Sequence, residues 1–170
     1  SIKKSFEKLK KGITKNIDIS YASEYMLDPS LIQKAAKKDL LCIKDNFVLV
    51  EMSYLSAPRN LYDILFEIKV NDYIPILAHP ERYIFFQKEF DEYYKLKKVG
   101  CLFQLNLLSV TGYYGNYTKS ITNKLIEKNL IDFVGSDIHS LRHIKAFERK
   151  VLIKNHKLLK KVIEKNDFFN

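Results

Sequence analysis

Short apolar runs alternate with amphipathic helical stretches along nearly the whole chain, and no hairpin signal joins any two of the runs. Val48-Leu49-Val50 lies within one such run, Ile74-Pro75-Ile76-Leu77-Ala78 forms another, and Cys101-Leu102-Phe103 opens a third. Strands that follow one another without tight turns must be joined by crossovers, and crossovers make parallel sheets. The chain therefore reads as an α/β fold with mainly parallel strands. Its 170 residues suit one domain, and 46% hydrophobic residues supply a core.

The elements follow from periodicity. Ser5 to Gly12 reads as a short basic helix, and the alternating Ile17 to Ala22 as a strand running on to Glu24. Asp28 before Pro29 reads as the N-cap of a helix to about Lys38. Strands are expected at 47–52, 74–78, 101–106 and 131–135. Helices are expected at 58–70, with Leu61, Ile64, Leu65 and Ile68 inward, at 84–99, stopped by Gly100, and at 118–129, with Ile121, Leu125 and Ile126 inward. The tail from Ile144 is helical.

Composition removes several function classes. The net charge of +9 comes from lysine pairs on helix-like segments, which read as solvated faces. No zinc-finger spacing or aromatic-basic motif accompanies them, so nucleic acid is not the expected partner. The apolar runs are too short to span a bilayer, and no secretory signal is visible, so cytoplasmic residence is the default expectation. Cys42 and Cys101 sit in apolar stretches and read as reduced, buried thiols. Neither has an Arg six residues on, where Val48 and Leu107 stand, which disfavours a cysteine-phosphatase loop.

The polar residues carry the functional signal. In parallel α/β folds, chemistry collects past the C-terminal ends of the strands. Here successive strands run into Glu24, Glu51, His79-Pro80-Glu81-Arg82, Gln104-Leu105-Asn106 and Ser136-Asp137-Ile138-His139. Asp137 and His139, two apart in an extended segment, would point to one side. Pro80 would hold the backbone extended at His79. Each residue also has a plainer reading: Asp137 as a helix cap, His79 as a satisfied core residue, Glu24 as a strand-end charge, Arg82 as an ion-pair partner. Glu51 reads as structural, or as supporting a ligand. His143 and His156 read as surface residues, His143 being the nearer to a site.

In series these motifs resemble the polymerase-and-histidinol-phosphatase (PHP) superfamily, in particular its bacterial capsule-type tyrosine phosphatases. The resemblance rests on Ile76-Leu77-Ala78-His79-Pro80-Glu81-Arg82-Tyr83, on Phe103-Gln104-Leu105-Asn106 with Ser109-Val110-Thr111-Gly112, and on Gly135-Ser136-Asp137-Ile138-His139. Ala22-Ser23-Glu24-Tyr25 and Val50-Glu51-Met52-Ser53 fit the same order, so the match runs over roughly 17–149. It implies a partial, distorted TIM-like β/α barrel, with residues 1–170 forming one PHP-like phosphatase domain. It implies metal ligation by Glu24, His79, Asp137 and His139, and a phosphate contact from Arg82, with Arg142 as a second anion contact. The family's cofactor would be two or three manganese ions, with iron or zinc as alternatives. The substrate would be a phosphotyrosine protein, a tyrosine autokinase of polysaccharide export with a tyrosine-rich tail. A small phosphomonoester, or a non-catalytic scaffold role, are the competing expectations. The family's opening His-x-His strand has no counterpart, since the first histidine is His79. The expectation is a chain that begins inside the fold and builds a partial metal cluster.

Overall fold

The computed structural model describes residues 2–13, 18–86 and 88–169. Five strands form one sheet: β1 (Glu24–Met26), β2 (Phe47–Glu51), β3 (Ile74–Ala78), β4 (Leu102–Asn106) and β5 (Phe133–Gly135). They lie in sequence order β1-β2-β3-β4-β5 and every pair is parallel. Sequential parallel order means that each crossover steps to the next strand in the same direction, the winding that curls sheets into barrels rather than doubly wound layers. All five C-terminal strand ends consequently share one edge.

The helices are α1 (Ile2–Gly12), α2 (Pro29–Ala36), α3 (Leu61–Val70), α4 (Asp91–Lys98), α5 (Gly115–Glu127), α6 (Leu141–Ala146) and α7 (His156–Glu164). The Asp28 cap forms as expected, its carboxylate accepting from the Ser30 N–H at 2.8 Å with Pro29 in the first turn. Helix α3 buries Leu61, Ile64, Leu65 and Ile68, the face its periodicity gives. Gly100, at φ +85°, ends α4 by turning the chain so that the Cys101 N–H reaches the Leu96 carbonyl at 3.0 Å. Val48, Val50, Ile76, Leu77, Phe103 and Leu105 are fully buried at the centre of the sheet.

Three expected elements differ. The tail from Ile144 is not one helix: α6 ends at Ala146, and helical backbone resumes only with α7 and a 3-10 stretch at Lys165–Phe169. The first strand is not 17–22: Ile17 lies outside the described residues, 18–23 have no strand pairing, and β1 is the short segment beginning at Glu24. The alternation upstream suggested a half-buried strand, but pairing with β2 starts only where Glu24 lies opposite Leu49. The helix expected over 84–99 is split into a 3-10 turn at Ile84–Phe86 and helix α4. An aromatic cluster of Tyr83, Phe85, Phe86, Phe90 and Tyr93 stands where the two meet, with Phe85 and Phe86 rings 4.7 Å apart. Packing of those rings outweighs local helical preference there. Cys101 is buried and Cys42 half-buried, both as free thiols.

Candidate metal centre

The C-terminal edge of the sheet opens onto a cavity of about 210 Å³ lined by Glu24, Glu51, His79, Arg82, Asp137 and His139, together with Tyr54, Tyr114 and His143. Residues more than a hundred positions apart meet here because the parallel strands deliver their ends to one place.

Its floor is an acidic pair against an imidazole. His79 Nε2 lies 3.2 Å from Glu24 Oε1 and 3.6 Å from Glu51 Oε2, and one donor atom from each of the three residues falls within 4.8 Å of the others. Burial pulls the imidazolium of His79 down, but hydrogen bonds to Glu24 and Glu51 and the charge of Glu81 outweigh it and lift the pKa to about 9. The hydrogen bond from His79 holds Glu51 below the usual carboxylate range against the opposing effect of its burial. Two carboxylates and an imidazole at this spacing form a donor set for a divalent transition ion. In the metal-free protein a proton on Nε2 occupies the place such an ion would take.

The backbone at His79 is not extended. It is left-handed, with φ 38° and ψ 52°, despite the following proline. The conformation is held from both sides: the His79 N–H donates to the Gln104 carbonyl at 2.8 Å, and the Arg82 N–H donates to the His79 carbonyl at 2.9 Å. Asp137 is also left-handed, at φ 47°. Asp137 and His139 therefore reach one cavity through a bend rather than along a straight strand. Strain of this kind, of order 1–3 kcal/mol per residue, persists where surrounding contacts over-determine it and gathers at functional sites.

The opposite wall carries the positive charge. Arg82 Nη1 donates to Asp137 Oδ2 at 3.0 Å, and the Asn106 amide donates to the same oxygen at 2.9 Å. The guanidinium lies between two aromatic rings, its Cζ 4.6 Å from the Tyr54 centroid and 4.2 Å from that of Tyr114. Sandwiching fixes its plane at little entropic cost. The Tyr54 hydroxyl is 3.4 Å from His79 Nε2, and burial pushes its pKa up to about 12, so it remains a neutral donor or acceptor. Burial likewise raises the pKa of Tyr114. His139 is exposed, its Nδ1 3.1 Å from Asp137 Oδ1, and His143 Nδ1 is 3.2 Å from the Asp137 carbonyl oxygen.

All four expected ligands thus line one cavity, but they form two groups: Glu24 and His79 with Glu51, and Asp137 with His139. Arg82 lines the same cavity. Arg142 does not: it is exposed on α6 and is absent from the cavity lining, because the helix turns its side chain outward. Glu51, discounted from sequence, belongs to the tighter donor group. Tyr54 had no sequence signal beyond following a strand end, and Tyr114 none beyond its place in the Tyr113-Tyr114-Gly115 stretch of the family-like run; their contact with Arg82 appears only in the structure. His156 is on the surface, as expected.

The sequence profile of the family described as "Capsular polysaccharide synthesis, CpsB/CapC" matches residues 1–165. The chain belongs to this CpsB/CapC family. It is 32% identical over 111 residues to tyrosine-protein phosphatase YwqE of Bacillus subtilis, covering 65% of this chain and 44% of that protein. It is 26% identical over 137 residues to tyrosine-protein phosphatase CpsB of Streptococcus pneumoniae, covering 77% and 56% respectively. The fold matches a crystal structure from work on YwqE and CpsB, described there as unique metal-dependent tyrosine phosphatases, with a TM-score of 0.75 at 25% identity over 94% of this chain and 63% of that one. The chain spans about half the length of these curated relatives. Among the described residues no helix is long and apolar enough to cross a membrane.

Proposed function

We propose that this CpsB/CapC chain is one PHP-like domain whose cavity serves the metal-dependent hydrolysis of phosphotyrosine on a protein, namely a tyrosine autokinase of capsule or exopolysaccharide biosynthesis. The observation that supports this most is the Glu24, Glu51 and His79 donor group lying beside a stacked arginine in one cavity. Its relatives' names supply the phosphatase chemistry.

In this reading Glu24, Glu51 and His79 hold one ion, and Asp137 with His139 offers donors to a second. Manganese suits the oxygen-rich set, with iron or zinc as alternatives. A bound ion of this kind supplies a water acidic enough to act as hydroxide near neutral pH. The protein's own contribution is positioning. Arg82, its plane fixed by Tyr54 and Tyr114, presents N–H donors for phosphoryl oxygens, a bidentate geometry that lysine lacks. The two tyrosines also flank the entry with aromatic surface suited to a phenyl ring. A phenol leaves with less protonation than an alkanol, because its pKa is about 10. A small phosphomonoester is the second reading, and the cavity's volume of about 210 Å³ favours it over deep enclosure of a whole phosphotyrosine.

The test titrates Mn²⁺ into this chain by calorimetry and assays phosphotyrosine peptides, p-nitrophenyl phosphate and small sugar phosphates. Mn²⁺ binding that disappears in His79→Ala and Glu51→Ala, with peptide turnover, supports the proposal. Turnover of small phosphates alone selects the second reading. No Mn²⁺ binding and no hydrolysis would sink both.

A further inference from the structure

Glu81 is an unexplained acid. It is fully buried, it follows His79 by two residues across the Pro80 turn, and it takes no part in the donor group. Its Oε1 is well used, accepting from the Ser109 hydroxyl at 2.6 Å and from the Asn106 N–H at 3.1 Å. Its Oε2 is buried and has no hydrogen-bond partner. The other such orphan among the described side chains is His79 Nδ1, on a residue only 4% exposed. A buried polar atom left unpaired loses its hydration without replacement, so two complementary orphans this close in the chain need a shared explanation. The pair is chemically matched: one is an imidazole nitrogen able to donate, the other a carboxyl oxygen able to accept.

We propose that Glu81 is the positioning residue of the candidate metal centre, its Oε2 receiving the Nδ1–H of His79 across one buried water. The claim rests on the metal reading given above and extends it to the support of its ligand. A proton fixed on Nδ1 leaves the Nε2 lone pair for a cation, and Nε2 is the nitrogen that faces Glu24 and Glu51. A carboxylate partner also makes the ring a stronger donor and stops its rotation. Through Oε1 the same side chain fixes the Asn106 backbone at the end of β4, and the Asn106 amide in turn holds Asp137. One buried carboxyl therefore orients both candidate ligand groups, although it reaches the cavity lining nowhere.

Glu81→Gln separates this role from simple packing. Glutamine keeps one carbonyl oxygen for Ser109 and Asn106, but it turns an NH₂ donor toward His79. That donor forces Nδ1 to accept and moves the ring proton onto Nε2. Mn²⁺ affinity, measured by calorimetry on this chain, is expected to fall 10- to 100-fold, while circular dichroism shows the metal-free variant still folded. Wild-type affinity in Glu81→Gln would overturn the proposal. Independently of metal and of the variant's folding, ¹⁵N-histidine NMR of the wild-type chain at a pH high enough to make the His79 ring neutral should place its one remaining ring proton on Nδ1 and show it exchanging slowly. Its absence would overturn the proposal as well. If that proton is present but the wild-type chain binds no Mn²⁺, the metal reading fails and the Glu81–His79 contact stands.

Discussion

At the scale of single residues, the centre is governed by how charge is compensated without a cation. His79 joins two carboxylates as an imidazolium, and its pKa of about 9 in the folded protein exceeds the 6.5 of a free side chain. A group whose pKa rises on folding stabilises fully below its unfolded value and loses that contribution as pH climbs through the folded one. The metal-free chain should therefore lose stability between about pH 6.5 and 9, and His79→Asn should flatten that decline; urea unfolding in EDTA across this range measures both. Glu51 acts in the opposite direction: its lowered pKa gives stability that is lost only as pH falls into the acid range. Arg82 answers a different question. Arg82→Ala should leave Mn²⁺ binding within about threefold while weakening inhibition by inorganic phosphate at least about tenfold, the loss of a charge-assisted hydrogen bond pair. Loss of metal instead would mean that the guanidinium shapes the ligands rather than meeting the anion. Of these residues, His79, Arg82, Asp137 and His139 were legible because each follows an apolar strand in a recognisable run. Glu51 was legible only as a strand-end acid, since nothing in one sequence says that β1 and β2 pair in the register that brings it opposite Met26, two residues along β1 from Glu24 and on the same face. The left-handed turn at His79 ran against the ordinary effect of a following proline, and long-range hydrogen bonds decide it.

At the scale of elements, one tyrosine ties the strands that carry the donors. The Tyr83 hydroxyl accepts from the Met52 N–H at 2.9 Å, just past β2, and donates to the Ala78 carbonyl at 3.2 Å, the last residue of β3. It is completely buried. Tyr83→Phe keeps the ring but leaves a buried amide and a carbonyl without this partner, so it should destabilise by about 1–3 kcal/mol in denaturant unfolding. It should also weaken Mn²⁺ binding, because Glu51 and His79 sit on the two strand ends it joins. Central strands were legible as unbroken apolar runs, and α3 and α5 as amphipathic repeats. The short edge strand β1 was not. With 3 residues it has too little pattern to separate it from the alternating stretch before it, and pairing rather than propensity sets where it begins.

At the scale of the whole molecule, the two ends of the chain contribute unequally. Helix α1 buries none of its residues, and its ring contact is Phe6 against Tyr21 at 4.7 Å. Removing residues 1–13 should lower stability by no more than about 1–2 kcal/mol, on the scale of one partly buried aromatic side chain, as thermal unfolding would show. The other end behaves differently. The Asn166 side chain accepts from the Val134 N–H at 3.0 Å and donates to the Val134 carbonyl at 2.8 Å, which satisfies β5 as a neighbouring strand would. Phe168 packs on Phe47 at the start of β2, with ring centroids 4.9 Å apart, and on Phe133 at the start of β5, at 5.8 Å. Strands three places apart in the sheet are thus clasped at the edge away from the cavity. Without this clasp β5 would present an open margin able to recruit a foreign strand, so Asn166→Ala combined with Phe168→Ala should turn a monodisperse protein into one that self-associates, as size-exclusion chromatography would show.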